Sequence, residues 1–195
     1  DPYADLEPPV FTSCDHTNKS YPNGVAVATP GTYCGGIEFT SHSDVTFQPG
    51  VYVIRDGELS MDAHASLAGS GVTIYFTGNN TELDIEGQAN LDITAPATGD
   101  YAGLAFVQDP ASNPGNTSTI EGGGGIRIVG AVYFPTWTLD FGGNSGMLVN
   151  SPTVSLIADK FNFRGSTAMT LKSDEVSAGL PENPVETPPV VRLIQ

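Results

Sequence analysis

Pro30-Gly31-Thr32-Tyr33 returns nineteen residues later as Pro49-Gly50-Val51-Tyr52. Gly71-Val72-Thr73-Ile74 continues the series. Gly103-Leu104-Ala105-Phe106, Ala131-Val132-Tyr133-Phe134 and Ser155-Leu156-Ile157-Ala158 extend it. Repetition at about 20–50 residues marks a solenoid, propeller or array. Working outward from each opening strand, two more short strands with period-2 alternation follow. The rungs read as 32–34, 37–40 and 45–47; 51–54, 58–61 and 66–68; 72–76, 82–86 and 90–94. They continue as 104–108, 118–121 and 126–129; 132–134, 137–141 and 147–149; 156–158, 161–163 and 168–171. The second strands carry the pattern best: Ile37/Phe39, Leu59/Met61, Leu83/Ile85, Ile120, Leu139/Phe141 and Phe161/Phe163 alternate with polar neighbours. Stacked in parallel, each column meets its like about 4.8 Å away. The expectation is an all-β, single-domain parallel β-solenoid, a right-handed β-helix of about six three-strand rungs.

Composition agrees. The 195 residues suffice for one domain with a sizeable core, with 23 glycines, 15 prolines and only 15% charged residues. Short strands and frequent turns suit those proportions better than helices. Residues 1–28 carry Pro2, Pro8, Pro9 and Pro22 and read as an irregular leader. Residues 29–173 form the β-helix. Residues 174–195 are a Pro-rich tail expected to pack on it, through Val190-Val191-Arg192-Leu193-Ile194. The longest break, Asp109–Thr117, reads as a loop projecting from the fourth rung. The run Gly122–Gly125 lacks the lysine and strand–helix context of a phosphate loop, so it reads as a corner turn.

Net charge is −15, with an isoelectric point near 4.1. Seven Lys and Arg are scattered and form no basic patch. Nucleic acid and anionic membrane surfaces are thereby disfavoured as partners. No signal peptide or membrane span is evident, and the abrupt start at Asp1 reads as a mature or excised piece of an exported protein. Cys14 and Cys34 are the two cysteines. Without a Cys-x-x-C they do not suggest zinc. A disulfide between them is expected, and with it an extracytoplasmic location.

The outward residues of the second sheet are acidic: Glu38, Glu58, Asp62, Glu82, Asp84, Glu86, Glu121 and Asp140. Carboxylate oxygens suit hard divalent ions, and the stacked Glu58, Glu82 and Asp84 are candidate ligands for weakly held Ca²⁺. A solvated face that keeps sheets from pairing edge to edge is the other reading. No Asp-x-Asp-x-Asp-Gly loop is present. The first sheet reads as apolar outside too, through Tyr52, Ile54, Tyr75, Val107, Tyr133 and Ile157. Such a face is covered by the chain's own leader and tail or by a partner. Tyr52, Tyr75, Tyr133 and Trp137 are the candidate partner surface. His42 and His64 fall in corresponding turns, without a third ligand.

The stretches Asp1–Pro9, Thr29–Gly36 (TPGTYCGG), Gln48–Ile54 (QPGVYVI), Gly71–Gly78 (GVTIYFTG), Tyr101–Asp109 (YAGLAFVQD) and the closing Val191-Arg-Leu-Ile resemble the C-terminal exported region of TadG-like pilus-assembly proteins. The resemblance implies an envelope protein of the tight-adherence pilus system, anchored upstream of this region. It brings no catalytic residues with it.

The expected function is structural: an extracytoplasmic module for assembly or adhesion, non-catalytic, with protein partners of the cell envelope or a surface glycan. One rival is a carbohydrate-binding or carbohydrate-active β-helix, for which Trp137 and the Asp109–Thr117 loop are the candidates. That chemistry needs a tuned acid/base pair, and no spacing singles one out. The second rival, an ice-binding solenoid, needs a threonine column; Thr73, Thr94, Thr138 and Thr170 do not share a strand position.

Overall fold

The computed structural model describes residues 3–112, 114–143, 146–147, 151–165 and 168–171. The proposed tail, 174–195, lies outside them. The described chain is all-β, a parallel β-solenoid of about six turns with one further coil at its N-terminal end.

The chain winds through three sheets in sequence. A first coil holds β1 (His16–Tyr21) and β2 (Gly24–Ala28), and a second holds β3 (Gly31–Phe39) and β4 (Ser43–Phe47). Next come β5 (Gly50–Arg55), β6 (Leu59–Met61) and β7 (Ser66–Ser70), then β8 (Val72–Thr77), β9 (Leu83–Ile85) and β10 (Asn90–Thr94). The fifth coil holds β11 (Leu104–Gln108) and β12 (Thr117–Gly122), and closes with the start of β13 (Ile126–Gly143). The rest of β13 and β14 (Gly146–Met147) make the sixth, and β15 (Val154–Phe163) and β16 (Ala168–Met169) the last.

The rod begins earlier than residue 29. β1 pairs in parallel with β3, and β2 with β4, so residues 16–28 form a coil rather than an irregular leader. Their sequence hid this because an end coil packs on one side only, and His16–Tyr21 is largely polar.

The second sheet has the expected phase. Ile37, Leu59 and Leu83 align, as do Phe39, Met61 and Ile85, and all are buried. Ser118 stands in the leucine column and is fully buried; its hydroxyl accepts the Leu83 N–H at 3.0 Å. The first sheet has the opposite phase to that expected at Tyr52 and Ile54. Tyr52 aligns with Ile74, and Ile74 with Phe106, all inside the rod. A tyrosine fits there because its hydroxyl reaches the corner, donating to the Ala28 and Gln48 carbonyls at 2.9 and 3.0 Å. Its ring lies 3.9 Å from that of Phe47, nearly parallel.

The Pro-Gly repeat has a steric cause. Gly50 sits at φ +140°, and a Cβ there would lie 2.4 Å from Pro30 Cγ of the preceding coil. Only glycine admits both the conformation and the stacked proline ring. Gly124 answers the same question at another corner: a Cβ would meet the Ala89 carbonyl oxygen at 1.8 Å.

Candidate functional site

The acidic face is built by the second sheet. Glu38, Ser60, Asp84, Thr119 and Asp140 occupy one outward column. Glu58 and Glu82 open the strands of adjacent coils, where the Leu59 N–H donates to the Glu82 carbonyl at 2.9 Å. Partial burial raises the Glu82 carboxyl above its ordinary range; the neighbouring Glu58 carboxylate and the charge of Asp84 push it the same way. Partial burial also raises Asp84, with Glu58, Glu86 and Glu121 adding to it. The three candidate ligands are therefore brought together electrostatically. No group of three or more His, Cys, Asp or Glu side chains among the described residues is arranged to hold a metal ion.

Beside this stripe is an open depression of about 160 Å³ lined by Asn18, Lys19, Gly35, Gly36, Ile37, Glu38, Glu58 and Ser60. At the far end of the face, Arg164 Nε donates to Asp140 Oδ1 at 2.7 Å. Elsewhere on the rod the carboxylates cap turns. Asp62 accepts from the Ser41 N–H and Glu86 from the Ala63 N–H, both at 3.2 Å; Asp56 accepts from the Asn79 N–H at 2.9 Å. Each side chain thereby ties one coil to the next.

The proposed partner surface needs correction. Tyr52, Tyr75, Tyr133 and Trp137 are each no more than 1% exposed. Tyr52 and Trp137 are interior residues; the Trp137 indole packs against Phe76 and Phe134 with ring centroids 5.7 and 5.1 Å away. Tyr75 and Tyr133 do face outward, with Val107, but they are covered. Tyr3 and Leu6 of the N-terminal segment pack on them, joined by Tyr101 and Leu104. The leader thus covers the apolar outer face, one of the two coverings the sequence leaves open. The sequence pattern does not mark Tyr101 as a site residue; its place in the break between β10 and β11 is the available signal.

The same segment runs back along the first sheet to Cys14, which is bonded to Cys34 of β3 (S–S 2.02 Å, Cα–Cα 5.7 Å). Asp15 follows, its carboxylate accepting the Thr32 N–H at 2.8 Å. His42 and His64 occupy successive turns with parallel rings 5.3 Å apart. The loop after β11 is organised by Gln108. Its Oε1 accepts from the Thr136 N–H and hydroxyl at 3.1 Å, and its Nε2 donates to the Asp109 and Ser112 carbonyls.

A family model described as a domain of unknown function, DUF7305, matches residues 11–176, which include every strand above. The chain belongs to the DUF7305 family. No curated protein and no solved structure matches it. No helix among the described residues of this DUF7305 chain is long and apolar enough to cross a membrane.

Proposed function

We propose that this chain is a non-catalytic, extracytoplasmic solenoid module with a structural, assembly or adhesion role, linked to a Tad-type pilus. The observation that supports it most is the use of the turn carboxylates. Asp56, Asp62 and Glu86 accept backbone N–H groups of neighbouring coils, which commits them to holding the stack together. Catalysis of glycan cleavage needs two positioned groups within reach of one bond. The Cys14–Cys34 disulfide is compatible with an oxidising, extracytoplasmic setting. Burial of Trp137 removes the aromatic on which the carbohydrate reading leaned. The Tad-type link rests on the sequence resemblance. Partners in this reading are envelope proteins or a surface glycan, and Ca²⁺ is at most weakly held.

Incubation of the purified chain with uronic-acid and neutral polysaccharides tests the proposal. The expected result is no unsaturated product and no new reducing ends. Turnover that disappears when one carboxylate, or one of Arg55, Arg127, Lys160, Arg164 and Lys172, is substituted would overturn it.

A further inference from the structure

We propose that His42 and His64 form a two-imidazole site for one divalent transition-metal ion of the zinc and copper class. The ion clips the coil of β3 and β4 to the coil of β5, β6 and β7. Both side chains are exposed at the corner between the second and third sheets. Their rings lie 5.3 Å apart, with planes 3° from parallel.

One turn, repeated at successive levels, brings the rings together. The Ser43 N–H donates to the Thr40 carbonyl at 3.0 Å, the Ala65 N–H to the Asp62 carbonyl at 3.0 Å, and the Ala89 N–H to the Glu86 carbonyl at 3.1 Å. The third residues of these turns are His42, His64 and Gln88, with φ of 65°, 69° and 75°. A turn position with positive φ is filled most easily by glycine or asparagine. Two consecutive levels carry an imidazole there instead. Each turn is also tied to the next level. The Asp62 carboxylate accepts the Ser41 N–H, and the Glu86 carboxylate accepts the Ala63 N–H, both at 3.2 Å. The backbone beneath both rings is thereby held, and a pair set in advance binds without an ordering penalty.

The chemistry of the pair selects the ion. Imidazole nitrogen suits zinc, copper and nickel, whereas calcium takes oxygen. Zn–N bonds of about 2.0–2.1 Å place two nitrogens on a tetrahedral ion about 3.4 Å apart. Closing to that distance from parallel rings 5.3 Å apart needs a tilt of two exposed side chains and no movement of the stack. Water supplies the remaining positions, because no third His, Cys, Asp or Glu among the described residues is arranged to join them. Asp62 and Glu86 stay on their backbone partners and contribute through charge, in a chain whose net charge of −15 draws cations. The pair is separate from the carboxylate stripe of Glu58, Glu82 and Asp84, which presents oxygen alone. His16, the third histidine, stands apart from the pair and stacks on Tyr33 at 4.5 Å.

Titration of the untagged chain with Zn²⁺ at neutral pH tests this, read by calorimetry and by NMR of the imidazoles. The expected result is one ion per chain, with the ring signals of His42 and His64 shifting together and those of His16 unmoved. His42→Asn and His64→Asn keep a residue that tolerates positive φ. Each is expected to weaken Zn²⁺ binding at least about tenfold, whereas His16→Asn leaves it unchanged. Zn²⁺ is expected to raise the melting temperature of the wild type and not that of either pair variant. Unaltered affinity in either pair variant overturns the proposal, as does loss of binding in His16→Asn. The wild-type spectra decide it even where a variant fails to fold: signals of only one of the pair shifting, or displacement of the Zn²⁺ by Ca²⁺, overturns it too.

Discussion

Glu58 and Glu82 stand side by side on adjacent coils, where the Leu59 N–H donates to the Glu82 carbonyl at 2.9 Å, and their carboxylates repel. Like charges at about 5 Å repel by about 0.8 kcal/mol even at the dielectric of water. Partial burial first, and this repulsion second, raise the folded Glu82 carboxyl above its ordinary value of 4.5. Folding takes up protons between the two values. The stability this contributes is fully present below about pH 4.5 and is lost as pH rises through the folded value. Glu82→Gln removes the repulsion. At pH 7 it is expected to raise the melting temperature by about 2–4 °C, and the gain should shrink to nothing near pH 4. Calorimetry over that range checks it; a gain independent of pH, or none, refutes the assignment.

The same repulsion predicts a response to calcium. An ion bridging Glu58, Glu82 and Asp84 would relieve it. At ten times its dissociation constant a bound ion contributes ~1.4 kcal/mol. A melting temperature that climbs with millimolar Ca²⁺, and does so less in Asp84→Asn, is the expected result. An unchanged melting temperature returns the stripe to a solvated face.

Cys14 and Cys34 enclose a loop with a sequence separation of 20 residues. In the chain-entropy model such a cross-link is worth roughly 3 kcal/mol. Reduction, or Cys14→Ser with Cys34→Ser, should lower the melting temperature by about 6–12 °C for a chain of this size. Mass spectrometry of unreduced protein should find no free thiol. Two free thiols would remove the main support for an extracytoplasmic location.

Trp137 is the single tryptophan and is fully buried. Its fluorescence should peak at short wavelength and resist quenching by iodide. Trp137→Ala opens a cavity between Phe76 and Phe134 and should cost about 3–5 kcal/mol. Long-wavelength, readily quenched emission would restore it to the surface.

Much of this architecture was written in the residues themselves. The stacked Pro-Gly corners, the alternation of Leu59/Met61 and Leu83/Ile85, and the acidic outward column follow from local spacing, because one sheet with a dry face and a wet face prints a period of two. The cysteine pairing followed from having two cysteines. Three things were settled only by packing. The first sheet is apolar on both faces, so Tyr52 and Tyr75 look alike in sequence; alignment with Ile74 puts the first inside, and Tyr3 and Leu6 cover the second. Residues 16–21 became a strand because β3 offered an open edge, not because their own pattern demanded it. The N-terminal arm lies about 130 residues from Tyr133 along the chain, and no periodicity reaches that far. Local chemistry decided which residues repeat; only the closed stack decided which face each one meets.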